Sequence, residues 1–276
     1  MGLTFMVALL ATTGTGLVAE ATRTTSRAEA HERLADRDAR HELVEMGLSP
    51  PESSALREVA VSLRASHGVE LMVASDAFTI ELPNGEVGAG PPRDDATARA
   101  LVHVADELRR YPPSFLRRAG LWRVVLCAGL RESGRGIPSL PNVKHSLLLD
   151  VAATGDYLRR LLHHEVFHFA DYAEDDLVTI DAAWSALNAE GFTYGSGGRS
   201  VRSASAGSLV ELEGFVSVYA TSALEEDKAE LFAVMMTRPT WLARRLAEDP
   251  VLRRKEAHLR GRLRSLSPEM GPAYWR

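Results

Sequence analysis

Near the middle of the chain, the run LLHHEVFHFADY (residues 161–172) sets His164, Glu165 and His168 in an otherwise apolar stretch. An α-helix turns about 100° per residue, so His164 and His168 fall one turn apart on the same face, about 6 Å apart along the axis. Two imidazoles so placed can meet one tetrahedral ion. Glu165 is displaced to the side of that face, where its carboxylate can reach the open position of such an ion and take a proton from water there. The competing reading is a buried helix whose histidines simply hydrogen-bond in the core. His163 points about 100° away from His164 and reads as a packing residue on another face.

The choice between the two readings turns on a third ligand. The stretch GFVSVYATSALEEDKAELFAVMM (214–236) carries Glu225, Glu226 and Asp227, with Glu230 one turn beyond Glu226. Leu231, Val234 and Met235 repeat in helical register, so Glu226 and Glu230 share one face. The first can ligate a metal while the second hydrogen-bonds a ligand imidazole. Taken alone, the acids also suit the first turn of a helix, where they favour its dipole. Joined to the H-E-x-x-H pattern, they point to zinc held by two histidines and a glutamate, as in zinc peptidases. A second ligand set takes its third member from Glu174, but it needs a glycine three residues after the second histidine to turn the chain, and Asp171 stands there.

The elements that must position these residues follow from the apolar periodicity. The motif helix is expected from about Gly155–Asp156 to Tyr172. Before it, VELMVASDAFTIELP (69–83) reads as strand-like, NGEVGAGPPRDD (84–95) as turn and loop, and 94–110 as a helix with Asp94 as its cap. LWRVVLCAGL (121–130) and HSLLLDVA (145–152) read as two strands joined by a Gly- and Pro-containing loop. Residues 22–66 read as two exposed helices around the proline turn LSPPESS, a spacer or cover. Between the two motifs, Trp184, Phe192 and Tyr194 alternate with Gly- and Ser-rich sequence, which suits either a substrate lip or a surface insertion. From Trp241 to Leu266, arginines on a helical pattern with interspersed acids describe a solvated helix face.

Composition limits the alternatives. With 276 residues, 45% apolar and 25% charged, the chain can bury a sizeable core. A net charge of −5 and no long basic block give no reason to expect nucleic acid. Cys127 is the sole cysteine, which excludes an intrachain disulfide and a cysteine-based zinc site. The apolar segment from Leu3 to Ala19 ends in Ala19-Glu20-Ala21, a small-x-small cleavage pattern, though no Lys or Arg precedes Arg23. It reads as an export signal over 1–21, placing the mature chain in the periplasm or outside a bacterial cell, and as part of a cytoplasmic chain otherwise. No stable membrane anchor is expected.

HHEVFHFADY followed by SVYATSALEEDKAELFA resembles the gluzincin metallopeptidases, in the branch that contains the catalytic domain of anthrax lethal factor and related bacterial enzymes. The resemblance covers about residues 140–237. It implies zinc ligands His164, His168 and Glu226, a general base at Glu165, and supporting roles for Asp171 and Glu230. Tyr219, seven residues before Glu226, would donate its hydroxyl to the developing oxyanion. Phe167 stands where the family usually has a small residue.

Together these readings predict an α+β protein, mainly helical and zincin-like, with a small sheet preceding the motif helix. The domain plan is a signal segment over 1–21, a helical segment over 22–66 and a metallopeptidase-like domain over 67–276. The activity expected is zinc-dependent hydrolysis of a peptide or protein substrate. The alternative is a catalytically silent, zinc-stabilised binding or structural protein that keeps the motif helix.

Overall fold

A computed structural model describes residues 47–82, 85–174, 180–198, 201 and 208–276. The expected signal segment, and the first of the two helices expected within 22–66, lie outside the described residues. In chain order the elements are β1 (Leu48–Ser49), α1 (Ser54–His67), β2 (Glu70–Ala74), β3 (Phe78–Leu82) and β4 (Gly85–Gly90). Then come α2 (Asp94–Leu108), α3 (Pro113–Ala119), β5 (Arg123–Glu132), β6 (Arg135–Gly136), β7 (Ser139–Val143) and β8 (Ser146–Asp150). The second half holds α4 (Gly155–Glu174), α5 (Ala182–Ser185), β9 (Leu209–Leu212), β10 (Phe215–Ser217) and a 3-10 turn at Tyr219–Thr221. It ends with α6 (Leu224–Thr237), α7 (Pro239–Glu248) and α8 (Pro250–Leu266), with another 3-10 turn at Pro268–Met270 closing the chain. Helices and a mixed sheet thus make an α+β body. Among the described residues no helix is long and apolar enough to cross a membrane.

Strand β5 organises the sheet. Its first half lies between two parallel neighbours, with Val124 opposite Leu71 of β2 and Leu147 of β8. Antiparallel β1 and β7 flank this parallel centre on its two sides. Val124, Val125, Leu126 and Cys127 are all buried, so this half of β5 shows no apolar–polar alternation, as expected of a strand covered on both faces. The Cys127 thiol is fully enclosed, and burial pushes its pKa up to about 12. The second half of β5 pairs antiparallel with β4 and β6. Between the halves, Gly90 faces Ala128 while Gly88 faces Arg131, so β5 carries an extra residue there. Gly129 absorbs it at φ +65°, a left-handed conformation glycine adopts without steric cost. Asp150 of β8 accepts the Leu130 amide at 2.9 Å, satisfying a donor beside the bulge.

Four expectations are corrected. Gly85–Gly90 forms a strand, not a loop, pairing with β3 from Leu82↔Gly85 to Phe78↔Ala89. Its glycines carry no apolar pattern, and backbone pairing to neighbours on both sides holds it. The loop expected between the two strands at 121–130 and 145–152 contains β6 and the edge strand β7. Pro141 sits in β7, a position tolerated because the strand is hydrogen-bonded along one side. Helix α1 is no exposed cover: Leu63 is fully buried in the shared core, so the body extends N-terminal to the expected boundary at 66/67. Asp94 is the first helical residue of α2 rather than its cap, which falls on Arg93.

Candidate metal centre

Helix α4 begins after Thr154, whose carbonyl accepts the Leu158 amide, with Gly155 at φ +56° turning the chain in from β8. Leu158, Leu162, Val166 and Phe169 recur at three- and four-residue spacing and are buried at 2% exposure or less. Each such side chain contributes about 1.5–3 kcal/mol by leaving water. The partner is α6, buried nearly all round, with Phe167 of α4 packed on Phe232 at a ring separation of 5.3 Å. Phe167, in place of a smaller residue, therefore fills the α4–α6 seam and leaves the histidine face clear.

On that face the structure brings together His164, His168 and Glu226. His164 Nε2 lies 3.0 Å from His168 Nε2 and 3.0 Å from Glu226 Oε2, and His168 Nε2 lies 3.5 Å from the same oxygen. Ligands at about 2.0–2.1 Å from a tetrahedral ion stand about 3.3 Å apart, so these three atoms have the spacing of one face of such a tetrahedron. The hydrogen-bond pattern fits as well. His164 Nδ1 is 3.1 Å from Glu230 Oε1, and since a carboxylate only accepts, the ring hydrogen belongs on Nδ1. With an ion bound, that would leave the Nε2 lone pair free to point between His168 and Glu226. Glu226 Oε2 is buried without a hydrogen-bond partner. A cation among these atoms would satisfy all of them.

Without an ion, the site draws a proton onto His164 in its place. Burial alone would lower the pKa of His164, but the Glu226 and Glu230 carboxylates hold it well above the usual imidazole range. Burial alone would raise that of Glu226, and its contacts with His164 and His168 hold it far below the usual carboxylate range. The pocket is thus built around positive charge.

Glu165 is 6% exposed; its Oε1 accepts from the Ser139 hydroxyl of β7 at 2.7 Å, while Oε2 is buried with no partner. Tyr219, on the 3-10 turn that precedes α6, donates to Glu226 Oε1 at 3.0 Å, and its ring lies 5.9 Å from that of His164. Burial first, and the Glu226 charge second, raise the Tyr219 phenol pKa, so it remains a protonated donor. Glu230 also receives the Ser217 hydroxyl and the Arg160 guanidinium. The backbone comes close at one further point: a Cβ built on Gly198 would lie 2.3 Å from both Glu226 Oε1 and Tyr219 Oη.

Asp171 is placed elsewhere. Its carboxylate meets Lys228 Nζ at 2.6–2.8 Å and Arg262 at 3.1 Å. It therefore ties α4 to α6 and α8, in place of the expected partnership with His168. Helix α4 continues to Glu174 without the turn that the second ligand set would need. His163 faces away, as its angle on the helix indicates, into a buried group with Tyr111 and Glu107.

Sequence reasoning missed Arg160, Ser139, Ser217 and Gly198. Arg160 was within reach, since Arg160, His164 and His168 share one i, i+4, i+8 face; the other three depend on chain crossings that no local spacing reveals. Compared with protein-family models, curated proteins and solved structures, the chain matches none.

Proposed function

We propose that the chain is a zinc-dependent peptidase of zincin-like architecture. The observation that carries this reading is the triangle of His164 Nε2, His168 Nε2 and Glu226 Oε2, with an unpaired carboxylate oxygen of Glu165 beside it. Zinc bound there would supply Lewis acidity, polarising a peptide carbonyl and bringing the pKa of water toward neutrality. Glu230, braced by Arg160 and Ser217, fixes the His164 ring so that Nε2 keeps its lone pair for the ion. Ser139 occupies one oxygen of Glu165 and so directs the other to the proton of the attacking water. Once the carbonyl carbon has been attacked, Glu165 passes that proton to the leaving amine as the C–N bond breaks. Tyr219 donates to the oxyanion, turning its hydroxyl away from Glu226. Among the described residues, β7 has a ladder partner on one side alone, β8, and the extended substrate runs along its other edge next to Glu165.

Purified protein should take up about one zinc per chain, and His164→Ala, His168→Ala and Glu226→Ala should each abolish high-affinity uptake. Glu165→Gln should retain zinc while cleavage of a peptide library falls by about 10²- to 10⁴-fold. Zinc retained by Glu226→Ala would remove the ligand set, and an unchanged rate in Glu165→Gln would remove the mechanism.

A further inference from the structure

The segment from Tyr194 to Gly198 crosses the candidate metal centre and is held at several points. At its start, the Tyr194 hydroxyl donates to Asp227 Oδ2 at 2.6 Å and accepts from Asn188 at 3.0 Å and from the Trp184 indole at 3.2 Å. Trp184 is fully buried, and Asp227 is neutralised by Lys255 at 2.7 Å, so this anchor belongs to the core. In the middle, the Gly195 amide donates to Thr221 O at 3.0 Å and the Gly197 amide to Ser222 O at 2.8 Å. At its end, Gly198 lies against the Tyr219 hydroxyl and the Glu226 carboxylate, with no room for a Cβ. Farther along, the Val201 carbonyl accepts from Arg135 of β6 at 3.4 Å, only a few residues before Ser139.

We propose that Tyr194–Gly198 is a strap that gates the metal centre, so that the arrangement described is a closed, self-covered form. This rests on the zinc reading above. Two observations carry it. The strap is glycine at its points of closest approach, Gly195 against the Ser222 backbone and Gly198 against the metal-site side chains, so its backbone lies where a side chain would collide. The Tyr219 hydroxyl, assigned to the oxyanion, is engaged by Glu226 directly beneath Gly198, and substrate must displace both contacts. The strap is tied down through Asp227 and the Thr221 and Ser222 carbonyls, which are not among the three ligands. Opening it consequently changes how fast an ion enters and leaves, and leaves the ligand set intact. A gate speeds capture and release together, whereas damage to a ligand speeds release alone.

The test uses the full chain with two substitutions. Tyr194→Phe removes the core anchor at a distance from the ligands, and Gly198→Ala pushes the strap outward with one methyl group. Hydrogen exchange at the Gly195 and Gly197 amides reports closure directly, and stopped-flow zinc capture and release to excess chelator report passage. Both variants should lose amide protection, by about tenfold for Tyr194→Phe, the effect of one net hydrogen bond. Capture and release should accelerate together in Tyr194→Phe, with Kd held within about threefold. Lost protection with unchanged zinc kinetics would overturn the gate, as would faster release with a matching rise in Kd, or protection retained in both variants. A wild-type chain that takes up no zinc would remove the metal reading itself, and the gate with it.

Discussion

Tyr219 shows how much a single oxygen can be asked to do. Its hydroxyl sits 3.0 Å from Glu226 Oε1, close enough to serve a reacting group beside the proposed metal after a small rotation. Tyr219→Phe removes that oxygen and leaves the ring packed near His164. It should lower kcat by about 10²- to 10³-fold, with zinc content and melting temperature nearly unchanged. A rate within a few-fold of wild type would make Tyr219 a packing residue. The His164, His168 and Glu226 cluster itself was readable, because i, i+4 spacing fixes faces before any tertiary contact exists. His164 with His168, and Glu226 with Glu230, needed only that each stretch be helical. Asp171 was misread for a related reason: its place one turn after His168 fits an orienting role equally well, and nothing local announces that Lys228 and Arg262 converge on it from other helices.

At the scale of elements, the junction of α4, α6 and α8 depends on that convergence. Asp171 and Lys228 are each 1% exposed, so neither charge can be satisfied by water if the other is removed. Lys228→Met should destabilise the protein by about 3–5 kcal/mol, because Asp171 would keep only Arg262. The double variant Asp171→Leu, Lys228→Met should recover most of this loss, since Arg262 retains Asp181 at 2.9 Å. Urea titration of the three proteins separates these outcomes, and a double variant as unstable as the single one would show that the site cannot repack without charge. The long helices were legible from their periodicity, with α4 close to its expected ends. Some of the short strands were not. A glycine-rich β4 and a proline-containing β7 have no apolar signature, and both exist through pairing with residues distant in sequence.

Over the whole molecule, an α+β body with a sheet ahead of the motif helix is what the sequence indicated, while the order of strands was beyond it. The parallel ladders joining β2, β5 and β8 are long-range choices, made by burial on both faces rather than by any turn. Cys127 lies on the strand common to all of them, fully enclosed and with a thiol whose pKa is pushed up to about 12. Being the one cysteine in the sequence, it gives the protein a stopwatch of its own. A thiolate reagent at neutral pH can reach it only in molecules whose central strand has parted from its neighbours, so the labelling rate should track cooperative unfolding rather than local breathing. The rate should fall together with denaturant-measured instability, whereas labelling within seconds under native conditions would show that the sheet opens at its middle while the rest of the fold stands.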